Sequence, residues 1–467
     1  MLPSFGPITA LAQEEPFVGQ VIWTDEKITG STVIAQNTVI MQELRLPEGA
    51  TLFVDSSAEL VITEDAAVIG NIEVRGEHAV LVNDGLVQGD ILVTGAYAQV
   101  LHSGTTTGTL RVEGTKYRKN HGDPSGFVRI HCEESSSIQT LTLNGVGDMV
   151  GSGHIGTLNL ESQNVLGFAT RGKTQIDTAH CAGEGDFIFF GGAQVETMYV
   201  QRKQSRTARL QHVYDGGHVE TLYLLSGDLY VHQGASLGTG YVWGGYLSVN
   251  QGFQHATDLP GQTTEFSTAK KIVLRGRNTF LQNGGFIETL VAFDSNIDTF
   301  GRIQNVALYN TTINLFHEGF MDYRTEPSGT GFINMLDGDT SAFVSYLYAE
   351  NSRIELRTDE VYPVWVDSVH LNNSRVKSDG VIASLLAENG SRVDVDEALI
   401  AQYTVAEKRT LVHTETIPCD EMATLTVSLA SEEASYVLVT EPDGTVHAAS
   451  SAGEPANLTI ECVQAGN

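Results

Sequence analysis

The sequence predicts an all-β chain: a single-stranded right-handed parallel β-helix with a small C-terminal antiparallel β domain or cap. Three observations carry this expectation. A short phrase recurs every 19 residues as GNIEV (70–74), GDILV (89–93) and GTLRV (108–112). Within each phrase, apolar residues alternate with a freely varying one. The apolar runs are separated by glycine corners, and the chain holds 48 Gly against 11 Pro. Self-similarity at a fixed period of roughly 20 residues marks a solenoid in which each repeat is one turn of a coil.

Residues 1–20 read as a leader or signal-peptide remnant and N-terminal segment. The apolar stretch to Ala12 ends in a small-x-small pattern before the polar Gln13-Glu14-Glu15, which predicts export with cleavage after Ala12. Residues 21–408 form the expected coil. The pairs Ile72/Val74, Ile91/Val93, Leu110/Val112, Leu141/Leu143, Leu158/Leu160, Met198/Val200 and Leu222/Leu224 lie two apart, so on a strand they share the interior face. Glu73, Leu92, Arg111, Thr142, Asn159, Tyr199 and Tyr223 then face outward. Runs such as LVNDGLVQGDILV and VYDGGHVETLYL read as strand, glycine corner, strand. Parallel crossovers are right-handed as a rule, which sets the expected hand. Toward the C-terminus, Asn351, Asn373 and Asn389 replace glycine at the corner, because Asn tolerates the left-handed region and stacks as an amide ladder. Residues 409–467 carry the strand-like runs ATLTVSL, SYVLVT, TVHAA and NLTIECV around a Pro442-Asp443-Gly444 turn, hence the antiparallel expectation.

Lys plus Arg number 27 and Asp plus Glu 57, a net charge of −30. Such a field opposes nucleic-acid and anionic-membrane partners, and no apolar run is long enough to span a membrane as a helix. The segment 213–252, VYDGGHVETLYLLSGDLYVHQGASLGTGYVWGGYLSVNQG, resembles the AIDA-type repeats of bacterial autotransporter adhesins, within the pectin-lyase-like parallel β-helix surface proteins. The likeness is clearest over 69–112 and 213–252. It implies a secreted or cell-surface passenger engaged in adhesion or self-association. The chain departs from that family in lacking a row of amphipathic strands that could form a membrane barrel.

Candidate ligand-binding residues fall into two groups. Tyr199 and Tyr223 share one outward slot, and Tyr230, Tyr241, Trp243 and Tyr246 follow closely; such rings present platforms for sugars or simply stiffen the sheet as a ladder. Lys116, Arg118 and Lys119, with Arg202, Lys203, Arg206 and Arg209, fall in lengthened coils, where they read as rim loops able to grip a sulfated or uronate glycan. Cys419 and Cys462 flank the C-terminal segment as a candidate disulfide. His131-Cys132 and His180-Cys181 resemble metal ligands in type, but neighbours on a strand face opposite ways, so no metal site or cofactor is expected. Asp337/Asp339 and Asp394/Asp396 share faces but read as acidic stripes, and no catalytic residues are assigned. The expected function is an adhesin-like, non-enzymatic module that contacts a glycan or another surface protein, or self-associates. The alternative is a polysaccharide lyase or glycoside hydrolase on the same scaffold.

Overall fold

The computed structural model describes residues 21–22, 28, 30–113, 128–144, 147–161, 168–170, 173–183, 187–189, 192–202, 211–213, 216–232, 234–249, 267–316, 342–358, 364–395, 400–406, 423–429, 435–440, 446–451 and 456–463. Among these there is no helix, and the chain winds as a parallel β-solenoid. Ile72, Ile91 and Leu110 lie one over another in register. The column continues through Leu141, Leu158, Ala179, Met198, Leu222, Gly240, Ile272, Leu290, Val306, Leu347 and Val369 to Leu385. Its side chains are almost wholly buried and belong to one continuous hydrophobic core. That core is the main stabilising term of the rod, because each coil is too thin to bury its own apolar face.

The first coils differ from the expected two strands per turn: they have three. Val80–Asn83, Leu86–Gln88 and Ile91–Val93 are successive strands of one coil, each paired in parallel with its counterpart in the coil below. The phrase glycines make the corner into the third strand. A Cβ on Gly89 would lie 2.1 Å from the carbonyl oxygen of Gly70, and one on Gly108 would lie 2.3 Å from that of Gly89. Only a residue without a side chain allows this approach. Within Thr105–Glu113 the last two strands fuse, with a register shift between Thr106 and Thr109. From there each coil has one long bent strand and one short strand. The bend explains the shared Thr of the later phrases. Thr109, Thr140, Thr157, Thr178, Thr197, Thr221 and Thr239 stack in register at the corner, rather than marking the strand start.

Farther on, the corner from the long to the short strand is built by side chains. Asp294, Asn310, Asn351, Asn373 and Asn389 have positive φ of 47–53°, as the sequence predicts for the three later asparagines. Asn373 donates its amide to Asn351 Oδ1 at 2.6 Å. One residue on from Asn351 and Asn373, and two on from Asn389, Ser352, Ser374 and Ser391 accept the backbone N–H groups of Thr311, Ser352 and Ser374 at 3.0–3.1 Å.

Antiparallel pairing joins Ala423–Leu429 to Ala456–Val463 and Ser435–Thr440 to Val446–Ser451, the four runs expected near the C-terminus. The leader, the Pro442–Asp443–Gly444 turn and Cys419 lie outside the described residues, as does the side chain of Cys462.

Candidate glycan-binding face

The predicted aromatic residues separate onto two sheets. Tyr199, Tyr223 and Tyr241 occupy one outward column of the long-strand sheet. His180 precedes them, stacked on Tyr199 at 5.1 Å, and the three tyrosine rings stack at 5.0 and 5.3 Å with interplanar angles of 9° and 12°. Rings so arranged spend their faces on each other, which favours a stiffening ladder over an open sugar platform. Trp243 is different. It is 49% exposed and tilted against Tyr223 and Tyr241.

Tyr230 and Tyr246 sit instead on the short-strand sheet, where they make a tilted pair at 5.4 Å. The sequence could not separate them from the ladder, because both sets lie on outward positions of neighbouring strands in one repeat. The Tyr246 ring stacks on Phe280 at 5.5 Å and its hydroxyl donates to Gln282 Oε1.

Register extends this pair into a longer face. One outward column runs Tyr246, Phe280, Asn296, Thr312, Arg353, Arg375, Arg392. Beside it runs Tyr230, Ser248, Gln282, Asp298, Asn314, Glu355, Lys377, Asp394, of which Ser248 is fully buried and Glu355 nearly so. Successive coils lie about 4.8 Å apart, so the face spans roughly 30 Å. Asn314 donates to Asp298 Oδ1 at 2.7 Å. Burial raises the Asp298 carboxyl above its ordinary range, opposed by Asn314 and by the charge of Arg357. Arg357 donates to Glu355 Oε2 at 2.9 Å and Arg353 to Oε1; hydrogen bonding from Arg357 leads in holding the Glu355 carboxyl below its usual value.

The expectation that Arg202 reaches out from a rim loop is corrected. Arg202 is 8% exposed, and its Nε donates to the carbonyl of Gly183 at 2.9 Å. Gly227 covers it: a Cβ there would lie 3.1 Å from Arg202 Cβ. A guanidinium buried against backbone holds coils together and offers nothing to a ligand. Lys116, Arg118, Lys119, Lys203, Arg206 and Arg209 lie outside the described residues, as do Asp337, Asp339 and Asp396.

The two His-Cys pairs are divided between sheets. Cys132 pairs with His102 on one, and Cys181 lies in the interior column of the other. Both thiols are free and buried, and desolvation pushes each up to about 12. A thiol held protonated there fills the core rather than binding a metal. Among the described residues no group of three or more His, Cys, Asp and Glu is placed to hold an ion, and no helix is long and apolar enough to cross a membrane.

No protein family, curated protein or solved structure compared with this chain matches it.

Proposed function

We propose that this chain is a non-enzymatic, secreted or cell-surface binding module of the adhesin type, which holds a linear glycan along the outer face of its short-strand sheet. One observation carries the reading. Tyr230, Tyr246 and Phe280 lead, without a break in register, into the hydrogen-bonding side chains of Gln282, Asn296, Thr312 and Asn314. Tyr246 and Phe280 spend one face on each other, but the next residue in their column is Asn296. Phe280 therefore keeps a face toward no further ring for a sugar, and amides and hydroxyls pair with sugar hydroxyls. A rigid rod keeps both in place, so little ordering entropy is lost on binding. The resemblance to AIDA-type repeats supports the surface location.

Retention on a panel of immobilised linear glycans tests this. Phe280→Ala should weaken retention of the best binder about tenfold while shifting melting only slightly. Unchanged retention, or loss proportional to a large fall in melting temperature, would refute it.

A polysaccharide hydrolase is the second reading, favoured by the opposite shifts of Asp298 and Glu355. Their backbones lie two coils, about 10 Å, apart, and Glu355 takes Arg353 and Arg357 on its two oxygens rather than a water. Release of reducing ends from a bound glycan would overturn the non-enzymatic reading.

A further inference from the structure

The C-terminal end of this face departs from the charge of the rest of the chain. Arg353, Arg357, Arg375, Lys377 and Arg392 are every Lys and Arg between 342 and 395, in a protein whose net charge is −30. All of them lie on the short-strand sheet, within Arg353–Arg357, Arg375–Ser378 and Arg392–Val395. Arg353, Arg375 and Arg392 are in register in successive coils. Like charges directly opposite one another on neighbouring strands repel, so the stack carries a cost that a row of anions would relieve. The same strands supply only Glu355 and Asp394 in return. Glu355 takes Arg353 and Arg357, and Asp394 takes Arg375 at 3.4 Å. Among the described residues Lys377 and Arg392 have no ion pair.

We infer that the glycan is acidic, a linear polysaccharide whose carboxylates are spaced by neutral sugars. In this arrangement the carboxylates meet Arg375, Lys377 and Arg392 while uncharged sugars extend toward Phe280 and Tyr246. Guanidinium groups match carboxylates in a two-bond fork. The spacing follows from the carboxyl groups already on the face: a polymer charged at every unit would press anions against Asp298, Glu355 and Asp394, and a sparse one need not. The net charge of the whole chain likewise penalises dense polyanions. This inference rests on the reading of the face as a glycan surface.

The test uses the full chain and hyaluronan, in which uronates alternate with a neutral amino sugar, with carboxyl-reduced hyaluronan, heparin and duplex DNA as the other arms. The inference expects native hyaluronan to bind at least tenfold more tightly than its reduced form, heparin or DNA. It also expects Arg375→Gln with Arg392→Gln to remove that advantage, Arg375→Lys with Arg392→Lys to keep most of it, and melting to stay unchanged in both. Equal binding of native and reduced polymer, sensitive to Phe280→Ala, would overturn the acidic ligand and leave the glycan surface standing. Tighter binding of heparin or DNA would overturn the sparse spacing. Retention of no glycan by the unaltered chain would remove the glycan surface and this inference with it.

Discussion

Between 70 and 113, Gly89, Gly95, Gly104 and Gly108 each sit over the glycine 19 residues earlier, whereas between 294 and 395 the corner from the long to the short strand carries Asp or Asn at positive φ, with Ser or Thr one or two residues on. In the first region Gly95 and Gly104 sit so close over Gly76 and Gly85 that an added Cβ would lie 2.1 and 2.0 Å from the carbonyl oxygens below. Each pair is 19 residues apart, and the sequence period is as regular. In the second region the hydroxyl ladder links Ser295, Thr311, Ser352, Ser374 and Ser391 across separations of 16, 41, 22 and 17 residues. Register there is carried by the hydrogen bond itself, whatever length of chain lies between two rungs. The glycine corners add close backbone stacking and an even repeat to a short ladder of their own, in which Asn71 Oδ1 and Asp90 Oδ1 accept the backbone N–H groups of Asp90 and Thr109 at 3.0 and 2.8 Å.

The largest effect lies in the interior that both regions share. Ile91 in the first region and Leu371 in the second are both fully buried in the same core. Either residue changed to Ala should cost about 3 kcal/mol, from lost transfer energy and the cavity left behind. Urea unfolding of the two variants checks this, and a cost confined to one region would mean that the two regions unfold separately.

A comparable effect belongs to the first region alone. His102 is buried beside Asn83 and Thr106, with its Nε2 2.8 Å from Thr106 Oγ1. Burial drives the imidazole down from 6.5 to about 4. The unfolded chain therefore takes up this proton first as pH falls. Stability is intact above about pH 6.5 and declines toward pH 4, by about 3 kcal/mol in all. His102→Gln should make unfolding between these pH values less acid-sensitive. If it loses as much stability as the unaltered chain between pH 7 and pH 4.5, His102 is not the acid-sensitive group.

The smallest effect belongs to the second region. Ser352 Oγ accepts the Thr311 N–H at 3.0 Å and donates to the Glu350 carbonyl at 2.7 Å. Ser352→Ala leaves that buried N–H without its acceptor and should cost about 2 kcal/mol. Ser103→Ala, at a glycine corner, should stay within about 0.5 kcal/mol. Equal costs would erase the distinction between the two corners.

Much of the solenoid was legible because strand periodicity and glycine corners are local. Ile72, Ile91 and Leu110 announce their shared column by spacing alone, and Asn351, Asn373 and Asn389 announce their left-handed corners. The third strand of the early coils was not legible, since Leu86–Gln88 is too short to separate from its neighbours by pattern. The arginine row was hidden for another reason. Arg353, Arg375 and Arg392 are 22 and then 17 residues apart, so no fixed period joins them. Arg202 misled because a cation in a lengthened coil reads as solvated until the burying backbone is seen.

The sequence alone determined that this chain winds as a coil with an apolar interior, because side-chain alternation and corner chemistry act within a few residues. Which outward side chains become neighbours was decided only by the tertiary structure. That choice depends on the register between coils, and the ladders that set it join residues far apart in the chain.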